Sequence, residues 1–165
     1  MWEIIQSTGG IIYTIASDGE PRYLLIKRHA LSGKIERVAP KGKIQQGEEI
    51  GKAALREVSE ETGIPINQMK LKQKLGTTQL RNTDNQKGHM DKDVTYFLIE
   101  YSWDPDCVKI EKAEWYIGVH KRSTINEVLG LIYYQDIREL IRTSYAMIKA
   151  DKKISNIKQD FIKKL

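Results

Sequence analysis

Residues 42–64 read GKIQQGEEIGKAALREVSEETGI, and this stretch predicts a glycine-containing loop that leads into a helix. Apolar or small residues recur in it at helical spacing and predict a face that packs on a core; they are Ile50, Ala53, Ala54, Val58 and Thr62. Gly63 follows the last of them, where a helix commonly ends on a left-handed glycine. The stretch therefore predicts one amphipathic helix between a loop and a terminating glycine.

Three carboxylates lie on the polar side of this helix, at Glu57, Glu60 and Glu61. Because an α-helix turns by ~100° per residue, all three fall within one arc of its surface. Like charges at these spacings repel by roughly 0.2–0.5 kcal/mol per pair, so helix stability does not account for the cluster. A divalent cation would reverse that repulsion, and carboxylate oxygens are the ligands that Mg²⁺ and Mn²⁺ prefer. The cluster therefore predicts a site for Mg²⁺ (or Mn²⁺).

The same stretch resembles the Nudix box, G-x5-E-x7-R-E-U-x-E-E-x-G-U, in which U is an apolar residue. All nine specified positions are filled without a gap, by Gly42, Glu48, Arg56, Glu57, Val58, Glu60, Glu61, Gly63 and Ile64. The alternative is a solvated acidic helix beside a turn, which is what most charge runs are. Nine residue types at fixed offsets favour the Nudix interpretation over that alternative.

The resemblance implies an enzyme that hydrolyses a nucleoside diphosphate linked to another group by cutting a phosphoanhydride bond. It also implies that Glu57, Glu60 and Glu61 hold the metal, with help from the backbone carbonyl of Gly42. Such a metal neutralises phosphate charge and lowers the pKa of bound water. Positioning and electrostatics then supply most of the catalysis.

Two further roles follow from the resemblance. One glutamate should orient or deprotonate water, and Glu57 is the first choice; where the base lies outside the box, Glu111 or Glu114 could serve. Arg56 is expected to orient the carboxylate four residues later, the alternative being a surface ion pair worth little. Glu48 is expected near the helix N-terminus, in a role that can be structural.

Bulk properties fit one soluble domain with a reducing environment. The chain has 165 residues, 40% apolar and 30% charged content, and a net charge of +5. It lacks both an apolar run of the roughly 18 residues that a membrane span needs and a recognisable signal peptide. The single cysteine, Cys107, excludes an internal disulfide framework. These features predict a cytoplasmic protein with no membrane partner.

The order of elements predicts an α/β fold, with strands first, one central helix, more strands and terminal helices. The Nudix resemblance implies a mixed β-sheet sandwiched between α-helices. Strands are expected at 2–6, 11–16, 23–27, 36–39, 71–78, 94–101 and 114–119, and helices from the capping box Thr124-x-x-Glu127 and over 136–149. Residues 7–10 are expected to interrupt the first strand, and residues 81–92 to form a loop. We expect residues 1–150 to form the Nudix domain and residues 151–165 to form a basic amphipathic helix or tail.

Substrate contacts are expected outside the box. Lys41 and Lys43 flank Gly42 and can meet phosphates from both sides. The Pro-Lys-Gly segment is similar to that of asymmetric diadenosine tetraphosphate hydrolases and diphosphoinositol polyphosphate phosphohydrolases, although Lys43 replaces their usual histidine. The Lys92–Phe97 strand and the Leu131-x-Tyr133-x-x-Asp136 segment resemble the same group.

Three other side chains are substrate-binding candidates, each with an alternative. Tyr96 shares a strand face with Val94 and Leu98 and could stack on an adenine, or it could be a half-buried strand tyrosine. His89 could contact phosphate, or be a solvated loop histidine. Arg28 lies just past a strand end and could contact phosphate, or it could simply be solvated, as for His89.

The sequence therefore predicts a metal-dependent Nudix pyrophosphohydrolase acting on a dinucleoside polyphosphate such as diadenosine tetraphosphate. Alternative substrates are a diphosphoinositol polyphosphate, a nucleoside triphosphate or an RNA 5′ end, and a rival class is a non-catalytic nucleotide-sensing Nudix module. The last fifteen residues carry five lysines and two aspartates, with an apolar helical stripe. Packing on the domain or in a homodimer is expected there, rather than nucleic-acid binding.

Overall fold

A computed structural model of the chain describes residues 3–30, 32–81, 90–102, 116–119 and 122–165, with only the backbone of 116–119. Four residues considered from the sequence lie outside this part of the chain: His89, Cys107, Glu111 and Glu114.

Two β-sheets organise the described residues. The first has the order β2-β1-β7-β6, with β5 paired to the other part of β1, and the second has the order β4-β3-β8. The strands are β1 (Ile5–Ile15), β2 (Pro21–Leu24), β3 (Ile26–His29), β4 (Ile35–Val38), β5 (Lys41–Lys43), β6 (Met69–Leu80), β7 (Lys92–Tyr101) and β8 (Tyr116–Val119). Strands β1 and β7 run parallel while their other neighbours are antiparallel, so the first sheet is mixed, as expected.

Strand β1 is continuous, so the expected interruption at residues 7–10 is wrong. Its first half pairs with β7 on one side and with β5 on the other. A Cβ added to Gly9 would lie 2.2 Å from the carbonyl oxygen of Pro40, and one added to Gly10 would lie 2.9 Å from Cγ2 of Val58. These glycines let a strand and a helix approach β1 closely; they do not turn the chain.

The stretch expected as one returning strand at 23–27 is divided between the two sheets. Strand β2 ends at Leu24, Leu25 is buried, and β3 begins at Ile26. The chain thus passes from the first sheet to the second within one residue, Leu25.

The central helix α1 (Ile50–Thr62) has the predicted ends and the predicted buried face. Glu49 caps its N-terminus by accepting hydrogen bonds from the backbone N–H groups of Gly51 and Lys52 at 2.8 and 3.0 Å. Gly63 ends it at a left-handed φ of 77° and donates its N–H to the carbonyl of Ser59. This geometry fixes where the carboxylates of the helix point.

Helices cover both faces of the first sheet. Alternate residues of β7 enter two cores: Val94, Tyr96 and Leu98 pack with α2 (Ile125–Leu131) and α3 (Gln135–Lys163), while Phe97, Ile99 and Tyr101 pack with α1. A short 3₁₀ helix, Ile66–Gln68, precedes β6. The predicted capping box of Thr124 and Glu127 starts α2. The α/β sandwich expected from the sequence is confirmed.

Helix α3 crosses residue 150 without a break and ends at Lys163. All residues from 151 to 165 are exposed, although the Lys152 ammonium donates a hydrogen bond to the carbonyl of Gly19 at 2.9 Å. The expected packing of this segment on the domain or in a homodimer stays a prediction. The division of the chain at residue 150 stays a prediction.

The end of α1 gives a test of stability. Replacing Gly63 with Ala should lower the free energy of unfolding by about 1 kcal/mol or more, because a Cβ disfavours the left-handed conformation. Urea denaturation followed by circular dichroism measures the change. Gly130→Ala is the matched control: this glycine lies within α2 with open space around it, so alanine should be neutral or stabilising. Equal destabilisation by both changes would contradict the assignment.

Candidate active site

Strand β5 brings the backbone of Gly42 against the carboxylate of Glu57 on α1. A Cβ at Gly42 would lie 2.0 Å from Oε2 of Glu57 and 2.1 Å from its Cδ. No side chain fits that space unless the carboxylate moves. The first glycine of the box is therefore the residue that lets the loop and the helix carboxylate meet, as its predicted role at the metal site requires.

Arg56 is the central cation of this site. Its Nε and Nη2 donate to the two carboxylate oxygens of Glu48 at 2.7 and 2.9 Å, a two-point ion pair. Its Nη1 donates to Oε1 of Glu57 at 2.7 Å and to both oxygens of Glu60 at 3.3 Å. Its Nη2 also donates to the backbone carbonyl of Lys43 at 3.1 Å. Arg56 thus connects three carboxylates and the loop, where the sequence predicted one partner.

The ion pair of Glu48 with Arg56 stays charged across a wide pH range. The Arg56 hydrogen bonds lower the pKa of Glu48 to about 2, helped by the N–H of Gln45. The same pair raises the pKa of the guanidinium further above its ordinary value. Glu48 directly precedes the capping residue Glu49, so it lies near the helix N-terminus as expected, and its carboxylate holds Arg56.

The carboxylates of the predicted metal site differ in their surroundings. Glu61 accepts a hydrogen bond from the backbone N–H of Lys41 at 2.8 Å, across from the helix. The side chain of Glu57 is 12% exposed, whereas that of Glu60 is 59% exposed. Glu60 is therefore the ligand candidate that can turn most freely.

The donor set suits a hard divalent cation, because it offers carboxylate oxygens on one helix beside a backbone approach at Gly42. Within the described residues, however, no three acidic, histidine or cysteine side chains are gathered as a metal cluster. Arg56 draws the carboxylates of Glu57 and Glu60 toward itself, and the Lys41 N–H engages Glu61. Binding a metal here would require some of these carboxylates to turn.

A basic cleft adjoins the carboxylate of Glu61, because Lys41, whose N–H donates to that carboxylate, also lines the cleft. Its lining consists of Arg28, Arg37, Val38, Ala39, Lys41, Thr78, Leu80, Tyr96, Ile132, Tyr134, Asp136 and Ile137. Burial, then the nearby charges of Arg28 and Lys92, lowers the pKa of the Lys41 ammonium. An anion in the cleft would relieve that unfavourable positive field.

The two arginines of the cleft differ in their partners. Arg28 is engaged by Glu36, whose carboxylate lies 2.5 Å from its Nε. Arg37 has a buried Nε without a hydrogen-bond partner among the described residues. The sequence singled out Arg28 but not Arg37, because Arg37 lies within a short strand whose pattern carries no functional signal.

The predicted aromatic contact lies at the floor of the cleft. Tyr96 is 3% exposed and packs in the core cluster with Ile137 and Ile141, so little of its ring is open to a ligand. Burial also raises the pKa of its hydroxyl. Tyr134, which is 43% exposed and lines the same cleft, offers a more open ring, and Tyr133 contacts it edge-to-face at 5.5 Å between ring centroids.

The remaining substrate candidates are placed differently. Lys43 is exposed and is not among the residues that line the cleft, and its carbonyl is held by Arg56. His89 lies outside the described residues. The structure therefore brings Lys41, Arg28 and Tyr96 together, and adds Arg37 and Tyr134 to them.

Comparisons with known proteins give a family. The model of the NUDIX domain matches residues 7–116, and a search of the curated proteins finds no match. The C. elegans Ap4A hydrolase in a binary complex has a TM-score of 0.71 and 23% identity over 90% of this chain and 99% of that chain. A NUDIX hydrolase from Nitrosomonas europaea has a TM-score of 0.65 and 20% identity over 87% and 90%.

A third similar structure is the NUDIX domain of Shewanella oneidensis NrtR complexed with ADP ribose. Its TM-score is 0.62, at 19% identity over 87% of this chain and 89% of that chain. With 19–23% identity, the similarity to these solved structures shows only a shared fold. The family model, in contrast, matches most of the chain. The matched domain and the filled box together show that this chain belongs to the NUDIX family, as a pyrophosphohydrolase.

Proposed function

We propose that the substrate is a dinucleoside polyphosphate such as diadenosine tetraphosphate, hydrolysed with Mg²⁺ or Mn²⁺. The observation that carries this proposal is the double position of Lys41. Its backbone N–H holds Glu61, while its side chain lines the basic cleft. Lys41 thus lies between the box carboxylates and the cleft. A long phosphate chain with one end at the metal site would need the cleft to begin next to the carboxylates in this way.

The carboxylates would perform the chemistry at one end of the cleft. Glu57, Glu60 and Glu61 would hold a divalent cation that neutralises phosphate charge and acidifies water. Glu57 remains the first choice as general base, because the Gly42 backbone and Arg56 fix its position. Arg56 keeps this carboxylate oriented through a charge-assisted hydrogen bond.

The cleft would bind the rest of the substrate. Lys41, Arg28 and Arg37 supply positive charge for the phosphates, and Tyr134 supplies a half-exposed ring for a base. A metal site at one end of the phosphate chain, with a base held at a fixed distance, should cut asymmetrically and release ATP and AMP. The fold shared with the C. elegans Ap4A hydrolase supports this choice of substrate.

Other substrates and a rival function remain alternatives to be tested. A diphosphoinositol polyphosphate, a nucleoside triphosphate or an RNA 5′ end would present phosphates to the same carboxylates. A non-catalytic module would bind a nucleotide without cutting it, and a NUDIX domain of this fold is known in complex with ADP ribose. The complete set of box carboxylates favours the enzyme.

Location and assembly are further parts of the proposal. In the described part of the chain, no helix is long and apolar enough to cross a membrane. We propose a cytoplasmic location, which the single cysteine supports. A homodimer is the assembly we propose, and nucleic-acid binding is not part of the proposed function.

Loss of the metal or of one ligand tests the chemistry. EDTA should abolish hydrolysis, and Glu57→Gln should lower kcat by at least ~100-fold with the fold retained, because one electrostatic stabiliser is lost. Steady-state kinetics with diadenosine tetraphosphate measures both effects. Glu139→Gln removes an exposed carboxylate of α3 that belongs neither to the box nor to the cleft lining, so it should change neither kcat nor KM. Full activity in EDTA would refute metal dependence.

The two lysines beside Gly42 form a matched pair. Lys41→Ala should lower kcat/KM by about tenfold or more, since a charge-assisted contact to phosphate is worth ~1.5–3 kcal/mol. The loss should grow with the number of phosphates in the substrate. Lys43→Ala is the control, because that side chain lies outside the cleft lining. Equal losses for both variants at every chain length would show that the loop acts structurally.

Base recognition is tested at Tyr134, because Tyr96 belongs to the core. Tyr134→Ala should raise KM by an amount equivalent to ~1–3 kcal/mol of stacking and spare most of kcat. Tyr133→Ala is the matched control, since that ring is 87% exposed and does not line the cleft. Products identified by mass should be ATP and AMP. Two ADP, or a clear preference for 8-oxo-dGTP, a diphosphoinositol or triphosphorylated RNA, would reject this substrate while leaving the family assignment intact.

A further inference from the structure

The C-terminal part of α3 carries an apolar stripe that no described residue covers. The stripe consists of Ala150, Ile154, Ile157 and Phe161, with Leu165 just beyond the end of the helix, and every residue from 151 onward is exposed. Phe161 is 67% exposed and Leu165 93%. Large apolar side chains repeated on one helical face usually mark a contact surface.

This stripe is not a continuation of the face that packs on the core. The first half of α3 is buried through Ile137, Ile141, Ser144 and Ile148. At ~100° per residue, the average direction of Ala150, Ile154, Ile157 and Phe161 is rotated from that face by about 140°. The core face continues instead through the polar residues 155 and 159. The stripe is therefore a second apolar face, built separately from the first.

The spacing of the stripe is that of a coiled-coil seam. Ala150, Ile154, Ile157 and Phe161 alternate steps of four and three residues, the pattern of a and d positions in a heptad. Charged residues occupy the flanking positions. On one side they are Asp151 and Lys158, and on the other Lys153 and Asp160.

We propose that this segment of α3 pairs antiparallel with the same segment of a second copy of the chain. With the two-fold axis between residues 155 and 156, Ile154 packs opposite the partner's Ile157. Ala150 then packs opposite the partner's Phe161, so that a small residue meets a large one in that layer. The surface is self-complementary, as a two-fold dimer requires.

The flanking charges specify the antiparallel direction. In this register Asp151 faces the partner's Lys158, and Lys153 faces the partner's Asp160. Each pair occurs twice by symmetry, and all are attractive. A parallel pair would instead place Lys153 beside the partner's Lys158, which is repulsive. Charge complementarity therefore favours a second copy over an anionic lipid surface or RNA, either of which would leave both aspartates facing negative charge.

The dimer is independent of the proposed substrate. The cleft lies at the start of α3, where Tyr134 and Asp136 line it, and the seam is centred beyond Ile154. At ~1.5 Å per residue these positions are roughly 27 Å apart along the helix. Pairing should leave the cleft open, and turnover per chain should be the same in dimer and monomer.

Charge reversal tests the pairing and its direction. Asp151→Lys with Asp160→Lys makes a basic variant, and Lys153→Asp with Lys158→Asp makes an acidic variant. Sedimentation equilibrium of the full chain at low ionic strength should show a wild-type dimer. In each variant alone the dissociation constant should rise by at least about tenfold, because attractive pairs become repulsive. An equimolar mixture of the two variants should restore the dimer.

The matched control combines Lys163→Asp with Ser155→Asp and Gln159→Asp, which changes the net charge by as much as the acidic variant does but lies off the seam, at exposed positions. It should remain dimeric. Ile154→Asp should be monomeric with unchanged circular dichroism and turnover, since Ile154 is exposed in the single chain. A wild-type chain that stays monomeric at all concentrations would overturn the proposal, as would variants that fail to dimerise when mixed. Co-sedimentation of such a monomer with anionic vesicles, or a shift with RNA, would assign the stripe to that partner instead.

Discussion

The contact of one guanidinium with three carboxylates is the interaction on which the site depends. Glu48, Glu57 and Glu60 would repel one another if they were brought together without a cation. Arg56 offsets this repulsion and also binds the carbonyl of Lys43, so it fixes the loop to the helix. Its two bonds to Glu48 are short, whereas those to Glu60 are 3.3 Å. Among the carboxylates that would hold the proposed metal, Arg56 therefore binds Glu60 more loosely than Glu57.

Close approach of backbones provides the second constraint. Gly9, Gly10 and Gly42 lie where β1, β5 and α1 meet, and a Cβ at any of them would collide with an atom of a neighbouring element. Local sequence cannot distinguish such glycines from those of a turn, because the colliding atoms belong to Pro40, Val58 and Glu57. The predicted interruption of β1 is wrong for this reason: Gly9 and Gly10 serve long-range contacts within a continuous strand.

The parts that could be predicted are those determined by neighbouring residues in the chain. Helix α1, its glycine end, the capping box of α2 and the alternation of β7 all follow from spacing, and the structure contains them. The cleft does not follow from spacing. Alternation placed Tyr96 on the correct face of its strand, but Ile137 and Ile141 of α3 cover that face. Arg37 and Tyr134 reach the cleft from segments outside the box, and no local pattern marks either of them.

The burial of the first half of α3 explains the apolar pattern in its second half. The sequence contains two apolar repeats on one continuous helix, and either could be taken as the core face. The interval from Ile148 to Ile154 is six residues, whereas a single stripe continues by three, four or seven. That interval rotates the second repeat away from the first. The burial of Ile148 identifies the face of α3 that packs on the core. The face of Ile154 points in another direction, so a partner that covers it is expected to come from outside this domain. The charges beside that face favour a second copy of the chain as the partner. Each side of the face carries one aspartate and one lysine, and an inverted copy of the same helix places each aspartate beside a lysine.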